Sequence, residues 1–386
     1  MKKLVIERDE LMGVVAKVSG WASDAISITV TNKKVEGFTM VQMAGYDGVM
    51  AQVLSSFFVK TEEEPFRLVL EAKLFTAAVN TLAKVGSTFT LVEEDDGSVT
   101  LKCGTAKVSL SKKEDMTTMT MPTKSEPAVR VVLPMESFRA LILKGGFGGR
   151  NIDDTRYNVV SFLIKGQNLF VLSTDGVMFS SGAVEVTSVD SGFPGEMPEC
   201  FTMNVGKAAD LLSKLAGDMV TLIFYENKTI ANSGNDICVV LSNGKPGYSA
   251  PVLLEKMSVL KEESTFRFEI ESDELKNMLD VALLSDGAQV SDKTKKYAAL
   301  QLTKDGKFTV SGVTGKNVTH TQLTAHEGAL ETIYLQVDGF KKMVDHTYCK
   351  KVRISGSSNM SPVFVTGDVA EMWSAMVPCS PETFSA

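Results

Sequence analysis

The sequence predicts an α+β protein of three tandem, similar domains, each assembled from two helix-plus-sheet half-repeats. Three observations carry this prediction. An amphipathic helical pattern returns three times at domain spacing, a strand–turn–strand segment follows each copy, and a second helix-then-strands unit occurs inside every third. The length of 386 residues suits two or three domains of ordinary size.

The helical pattern begins at Glu7 (ERDELMGVVAKV), at Pro134 (PMESFRALILKG) and at Glu271 (ESDELKNMLDVALL). Each copy opens on acidic residues, which suit the positive end of a helix dipole. Apolar residues then recur at helical spacing: Leu11, Val15 and Val18; Phe138 and Ile142; Leu275, Leu279 and Ala282. Leu11 and Phe138 are 127 residues apart and Phe138 and Leu275 are 137 apart, which is the length of one domain.

The segments VEGFTMVQMAGYDGVMAQV, IKGQNLFVLSTDGVMFSSG and KDGKFTVSGVTGKNVTHTQ follow, each a strand, a Gly-bearing turn and a strand. Asp47-Gly48 and Asp175-Gly176 favour a tight hairpin because glycine tolerates positive φ; the third copy keeps Gly315 behind Thr314. A further helical pattern appears at 72–84, 206–216 and 337–346, each followed by alternating strands. The segments MTTMTMPTKSEPAV and PVLLEKMSVLKEEST read as linkers, which sets the domains at 1–126, 127–257 and 258–386. Neither a lone helix nor a small sheet buries its apolar face, so paired units should pack two helices against their sheets.

Composition narrows the function. Hydrophobic residues make up 44% and charged residues 23%, as in a soluble globular protein. The net charge of −7 divides as −2 over 1–126, −3 over 127–255 and −2 over 256–386, so no basic arm is present to grip a polyanion. No apolar run approaches the roughly 20 residues that span a bilayer, and acidic residues near the N-terminus argue against a signal peptide. Five scattered cysteines without a CxxC pair read as free thiols of a reducing cytoplasm. The glycosylation-like triplets at Asn227 and Asn317 then read as chance.

Catalysis finds little support. His320, His326 and His346 show no metal-binding spacing, and neither a GxSxG elbow nor a complete phosphate-binding loop is present. Gly145-Gly146-Phe147-Gly148-Gly149 ends a helix instead of opening one, and is expected to be a flexible connection. The acidic run Glu93–Asp96 leads into Gly97 and reads as a solvated hairpin turn.

Three segments carry a family resemblance: RYNVVSFLIKGQNLFVLSTDGVM from Arg156, LSNGKPGYSAPV from Leu241, and VRISGSSNMSPVFVTGD from Val352, with a closing Met376-Val377-Pro378. In order and spacing they resemble the bacterial DNA polymerase III beta subunit, the DNA sliding clamp, over the chain from Met1 to about Pro378. The resemblance implies a non-enzymatic, cytoplasmic processivity factor. Two crescents would close head to tail into a homodimeric ring that slides on double-stranded DNA without reading its sequence. The implied partners are DNA, DNA polymerase and a clamp loader; no cofactor, metal or membrane is implied. A closed ring holds DNA topologically, which removes the need for a basic patch.

The resemblance also implies sites. A peptide groove between the second and third domains would use Arg156, Val159, Thr174, Gly176, Met178, Phe179, Pro246, Phe340, Val363, Met376, Val377 and Pro378. Candidate DNA-facing cations are Lys73, Lys84, Arg139, Lys144, Arg150, Lys207, Lys214, Lys341, Lys342, Lys350 and Lys351. At the subunit interface, Val108 and Leu110 would meet Leu283 and Leu284 of a second copy. Three departures stand out: Val177-Met178-Phe179 replaces the family's His-Arg-Leu, Gly339 replaces a tyrosine, and CSPETFSA extends beyond Pro378. A divergent clamp, of the kind a phage or mobile element would carry, accounts for them. The competing reading is a structural or assembly protein, such as a phage particle component, built from duplicated α+β units.

Overall fold

The computed structural model of the chain describes residues 2–116, 118–119, 126–149, 156–242, 246–284, 296–358 and 360–379. Among these, seven α-helices form: α1 Arg8–Ser19, α2 Ala72–Leu82, α3 Met135–Ala140, α4 Val205–Lys214, α5 Ala250–Glu262, α6 Ser272–Ala282 and α7 Val337–Asp345. Six of them lie where the repeated patterns put them. In α1, Asp9 and Glu10 stand in the first turn and Lys17 in the last, matching the helix dipole, while Leu11, Val14, Val15 and Val18 are buried. The same arrangement recurs in α6, with Asp273 and Glu274 leading and Leu275, Met278, Leu279 and Ala282 buried.

The chain divides into two compact units. The first comprises Met1–Met135, Thr187–Met197 and Ala209–Ser242. Its larger sheet has nine antiparallel strands in the order Ser188–Ser191, Val129–Pro134, Met219–Phe224, Lys228–Ser233, Asp236–Leu241, Ala51–Val59, Phe38–Tyr46, Ala25–Val35 and Phe66–Glu71. A smaller sheet orders Lys2–Glu7, Thr88–Glu93, Val99–Cys103 and Ala106–Leu110. Asp236 ties two parts of this unit together. Only 2% exposed, its carboxylate accepts hydrogen bonds from Lys17 Nζ at 2.6 Å and Ser55 Oγ at 2.5 Å.

The second unit comprises Glu136–Val186, Pro198–Ala208 and Asn243–Ala386. It repeats the plan. Its nine-stranded sheet runs Phe201–Asn204, Val159–Lys165, Asn168–Thr174, Met178–Glu185, Trp373–Met376, Val363–Thr366, Lys351–Gly356, Phe266–Glu271 and His326–Glu327. The four-stranded sheet orders Thr319–Gln322, Lys307–Gly312, Tyr297–Leu302 and Leu330–Gln336. The 127–257 segment supplies strands to both nine-stranded sheets. Each large sheet therefore continues across one of the boundaries read from the sequence, through Asp236–Leu241 on Ala51–Val59 and through Met178–Glu185 on Trp373–Met376.

Two segments differ from the sequence reading. PVLLEKMSVLKEEST is not an extended linker, since most of it forms the 13-residue α5, with Pro251 in its first turn where the missing N–H is harmless. Ala250, Leu254 and Met257 of α5 pack on one face of the second unit's large sheet, so position 258 lies inside an element. The glycine segment after α3 is likewise no loose connection. The chain passes through a π-helical turn, Leu141–Gly145, and every residue from 145 to 149 is buried. A Cβ on Gly145 would meet the Gly182 backbone and one on Gly148 would meet Ser173 O and Ser180 N. These glycines serve close backbone approach, and Gly148 N–H donates to Ser180 Oγ at 2.7 Å.

Candidate functional site

Ten of the twelve predicted groove residues belong to, or adjoin, the large sheet of the second unit, and strand parity divides them. Met178 pairs with Met376 and Met376 with Val363, which puts these three on one face. Together with Phe340 of α7 they join a buried cluster under α6 and α7, none more than 4% exposed. These four are buried core residues on the face that α6 and α7 cover. Gly339 is explained here: the Met376 methyl occupies the space a side chain at 339 would need.

The opposite face holds the rung Thr174, Phe179, Ala375 and Phe364, with Val159 one residue beyond the Val160–Ser173 pair. Phe179 is 4% exposed, and its ring centroid lies 5.2 Å from that of Trp373. α5 covers this face through Ala250, Leu254 and Met257. Near its start the Tyr248 hydroxyl is buried, and burial pushes its ionisation up to about 12. Phe179 and Val159 are therefore buried and not part of a surface.

The rim is built by the hairpin turn. Asp175 Oδ1 accepts from Val177 N–H at 2.9 Å and Met178 N–H at 2.7 Å. Thr174 Oγ1 donates to Met178 O at 2.7 Å, and Gly176 adopts φ +89°, which explains the Thr-Asp-Gly sequence. The turn presents Val177, whose carbonyl accepts from Val377 N–H at 3.0 Å. The two valines, 38% and 45% exposed, make an apolar surface pair. The Tyr157 ring flanks Gly176, the Arg156 guanidinium lies 5.4 Å from that ring, and the Arg156 side chain packs on Gly247, next to Pro246. Pro378 is half-buried, and Cys379 N–H is bonded to Tyr334 O at 2.8 Å. Arg156, Gly176, Pro246, Val377 and Pro378 thus stay at or beside the surface, whereas Thr174 is 8% exposed and buried. Tyr157, Val177 and Tyr248 are the additions. Alternation along Val177-Met178-Phe179 could have found Val177, since adjacent strand residues face opposite ways.

The predicted cations separate as sharply. Lys73 and Lys84 on or beside α2, Arg139 on α3 and Lys350 are exposed. Lys207 is half-buried, and Arg150 lies outside the described residues. Lys341 bonds Asp280 at 2.7 Å, Lys144 pairs with Asp368 at 3.1 Å, and Lys351 lies 3.6 Å from Glu271. Lys342 donates to Phe147 O at 3.0 Å. Lys214 is not a surface cation: it is 8% exposed, and its ammonium packs against Gly20 inside the first unit. Helix spacing alone could not reveal that long-range contact.

His346 marks where α7 meets the turn after α3. Its ring stacks on Phe147 at 4.0 Å with an interplanar angle of 5°, and its Nδ1 lies 2.7 Å from Leu143 O, where an N–H would donate. Burial lowers its pKa from 6.5, with neighbouring Lys342 adding to the shift and the Leu143 carbonyl and Asp345 opposing it. The fold thus favours neutral imidazole. That stability is complete above pH 6.5 and falls as acidification protonates the unfolded chain first, down to the lowered folded pKa. Thermal melts from pH 7.5 to 5.5 should show this loss. His346→Phe, which keeps the stack, should show a shallower pH dependence; parallel curves would contradict the assignment.

Of the predicted interface residues, Val108 and Leu110 lie on an edge strand, and Leu283 and Leu284 directly follow α6. Ala106–Leu110 pairs only with Val99–Cys103, with Val108 half-buried and Leu110 3% exposed. Leu283 packs against the second unit's core, whereas Leu284 is 79% exposed. Thr319–Gln322, an edge of the second unit's small sheet, has a side unpaired among the described residues, which sequence reasoning did not single out. Among the described residues, no group of three or more His, Cys, Asp or Glu is placed to hold a metal ion, and no helix is long and apolar enough to cross a membrane.

Taken over its whole length, this architecture is the fold of the DNA sliding clamps. The chain is similar to the beta subunit from DNA polymerase of Streptococcus pyogenes, with a TM-score of 0.82 and 14% identity over 98% of this chain and 100% of that one. It is also similar to the DNA polymerase sliding clamp from Bacillus subtilis, with a TM-score of 0.78 and 16% identity over 98% and 99% of the two chains. The DNA polymerase III beta subunit from Thermotoga maritima matches at a TM-score of 0.78 and 12% identity, again over 98% and 99%. No protein-family model matches the chain, and no curated protein matches it in sequence.

Proposed function

We propose that this chain is a DNA polymerase processivity factor and not an enzyme. Two copies, each of three similar domains, close head to tail into a ring around duplex DNA, slide along it and tether a polymerase. The observation that carries the reading is the end-to-end likeness of the fold to sliding clamps, over 98% of this chain and nearly all of theirs. Two free-edged strands, Ala106–Leu110 and Thr319–Gln322, supply a means of closing the ring, since exposed edges are strand-pairing templates. Lys73, Lys84, Arg139 and Lys350 are the cations best supported as DNA-facing, because they are exposed. So few suit sliding better than gripping.

The partner site is the Val177–Val377 pair with its Arg156, Tyr157 and Pro246 rim. It would take an apolar anchor of a polymerase or clamp-loader peptide.

Two measurements test the proposal. Light scattering behind size exclusion should give about twice the 41.7 kDa chain mass. A ring chemically cross-linked in the presence of circular DNA should survive a high-salt wash and be released when the DNA is linearised. Release by salt from the uncut circle would mean electrostatic binding and overturn the encirclement.

A further inference from the structure

Beyond the C-terminal end of α5, on the face of the large sheet that α5 covers, lies a cavity of about 310 Å³. Three cations line it. Lys261 stands with Nζ 5.2 Å from the Trp373 ring centroid and 3.2 Å from Ala370 O. Arg267 donates to Glu262 O at 3.3 Å, and among the described residues no carboxylate lies within ion-pair distance of it. Arg353 is paired with Glu269 at 2.7 Å.

Three hydroxyls line the same cavity, those of Ser258, Ser355 and Thr366. Ser355 is 7% exposed and Thr366 5%, and among the described residues neither side chain makes a hydrogen bond. Both residues line the cavity, so each hydroxyl is available to donate to a ligand held there. Burial also lowers the Lys261 pKa, a cost that an anion beside it would relieve.

We propose that this cavity is an oxyanion-binding site for a compact carboxylate or phosphate group. Arg267 and Lys261 carry the charge recognition and Thr366 and Ser355 supply neutral donors. Charge bookkeeping restricts the ligand. Glu262 at the rim, Glu269 on Arg353, and Glu327 beside Arg267 and Arg353 in the adjoining cleft offset the three cations one for one, so recognition rests on the placement of the donors and not on net charge. An extended polyanion such as duplex DNA would meet these carboxylates, whereas a single oxyanion group would not. The site does not depend on the clamp reading, since its residues recognise charge and not a DNA ring.

Trp373 provides the readout. In the full chain carrying Trp21→Phe, leaving one tryptophan, fluorescence is titrated with inorganic phosphate and separately with a short peptide ending in a free Asp carboxylate, at constant ionic strength. Calorimetry on the unsubstituted chain gives a second measurement. Saturation by at least one probe is expected, with the midpoint about ten-fold weaker in Arg267→Gln and about three-fold weaker in Thr366→Val. Both positions can be changed without removing a buried apolar group, and unchanged circular dichroism verifies folding. Saturation by phosphate identifies a free or phosphoryl ligand; saturation by the peptide alone identifies a carboxylate presented by a partner. A response no different from matched chloride, or one that Arg267→Gln leaves intact, overturns the site.

Discussion

Replacing Ser109 with proline should split the proposed dimer while leaving each chain folded. The argument starts at the hairpin. Cys103 and Ala106 flank a two-residue loop, Gly104-Thr105, with Gly104 at φ +57°. In such a loop the flanking residues form the hydrogen-bonded pair, and pairs alternate beyond it. Lys102–Lys107 is then non-bonded, Leu101–Val108 bonded and Thr100–Ser109 non-bonded. The N–H and C=O of Lys107 and Ser109 therefore point away from the sheet, toward the free edge. Proline at 109 removes an outward donor and places ring atoms where a second strand would approach, at no cost to the intrachain ladder. The expected loss is about 2–3 kcal/mol of association, or roughly 30–150-fold in Kd. Sedimentation velocity across a concentration series reads this directly. Leu284→Asp should act in the same direction from the other side. If both variants dimerise as tightly as the unsubstituted chain, the interface lies elsewhere.

Much of this fold was legible because its helices are regular and their apolar positions recur at one spacing. Leu11, Val15 and Val18, or Leu275, Leu279 and Ala282, identify a buried face without any tertiary knowledge. α5 was not legible in the same way. Val252 and Val259 are exposed while Leu254 and Met257 are buried, so apolar residues surround the helix and blur its stripe. The Pro251 start signal was available and would have argued for a helix.

The proposed partner site was legible as a set of residues but not as a surface. Thr174-Asp175-Gly176 gave the turn, since only a left-handed position there explains the glycine. Resemblance alone then gathered Met178 with Phe179, and Met376 with Val377, although neighbours in a strand cannot share a face. Period-two reasoning separates both pairs correctly. What no local pattern could supply is the fate of Lys214 or of the glycine run. Lys214 is buried by Gly20, far away in sequence, and Gly148 is held by Ser173 and Ser180. Both depend on backbones meeting closely, a property of the assembled sheet.

The second large effect is expected at Asp236. Its carboxylate is nearly inaccessible and joins three segments: Lys17 of α1, Ser55 of the central strand and its own strand, which pairs there with Ser55. The preceding hairpin tip docks on the same strand, through Ser56 N–H to Asn235 O at 2.9 Å. Asp236→Ala removes the acceptor from both donors. Ser55 is 1% exposed and cannot turn to water, while Lys17 is 27% exposed and can recover part of its hydration. The cost of breaking a buried pair, about 3–5 kcal/mol, should therefore be reduced to about 2–4 kcal/mol. Chemical denaturation should show that loss, with the first unit's transition moving to lower denaturant. The pair can be separated from the general effect of truncation by a cycle with Lys17→Met. If the ion pair is what the single variant loses, the double variant should be more stable than the sum of the two single losses predicts. Strict additivity would show that Lys17 and Asp236 stabilise the sheet independently. The expected coupling instead makes this buried pair the joint between the 1–126 and 127–257 segments.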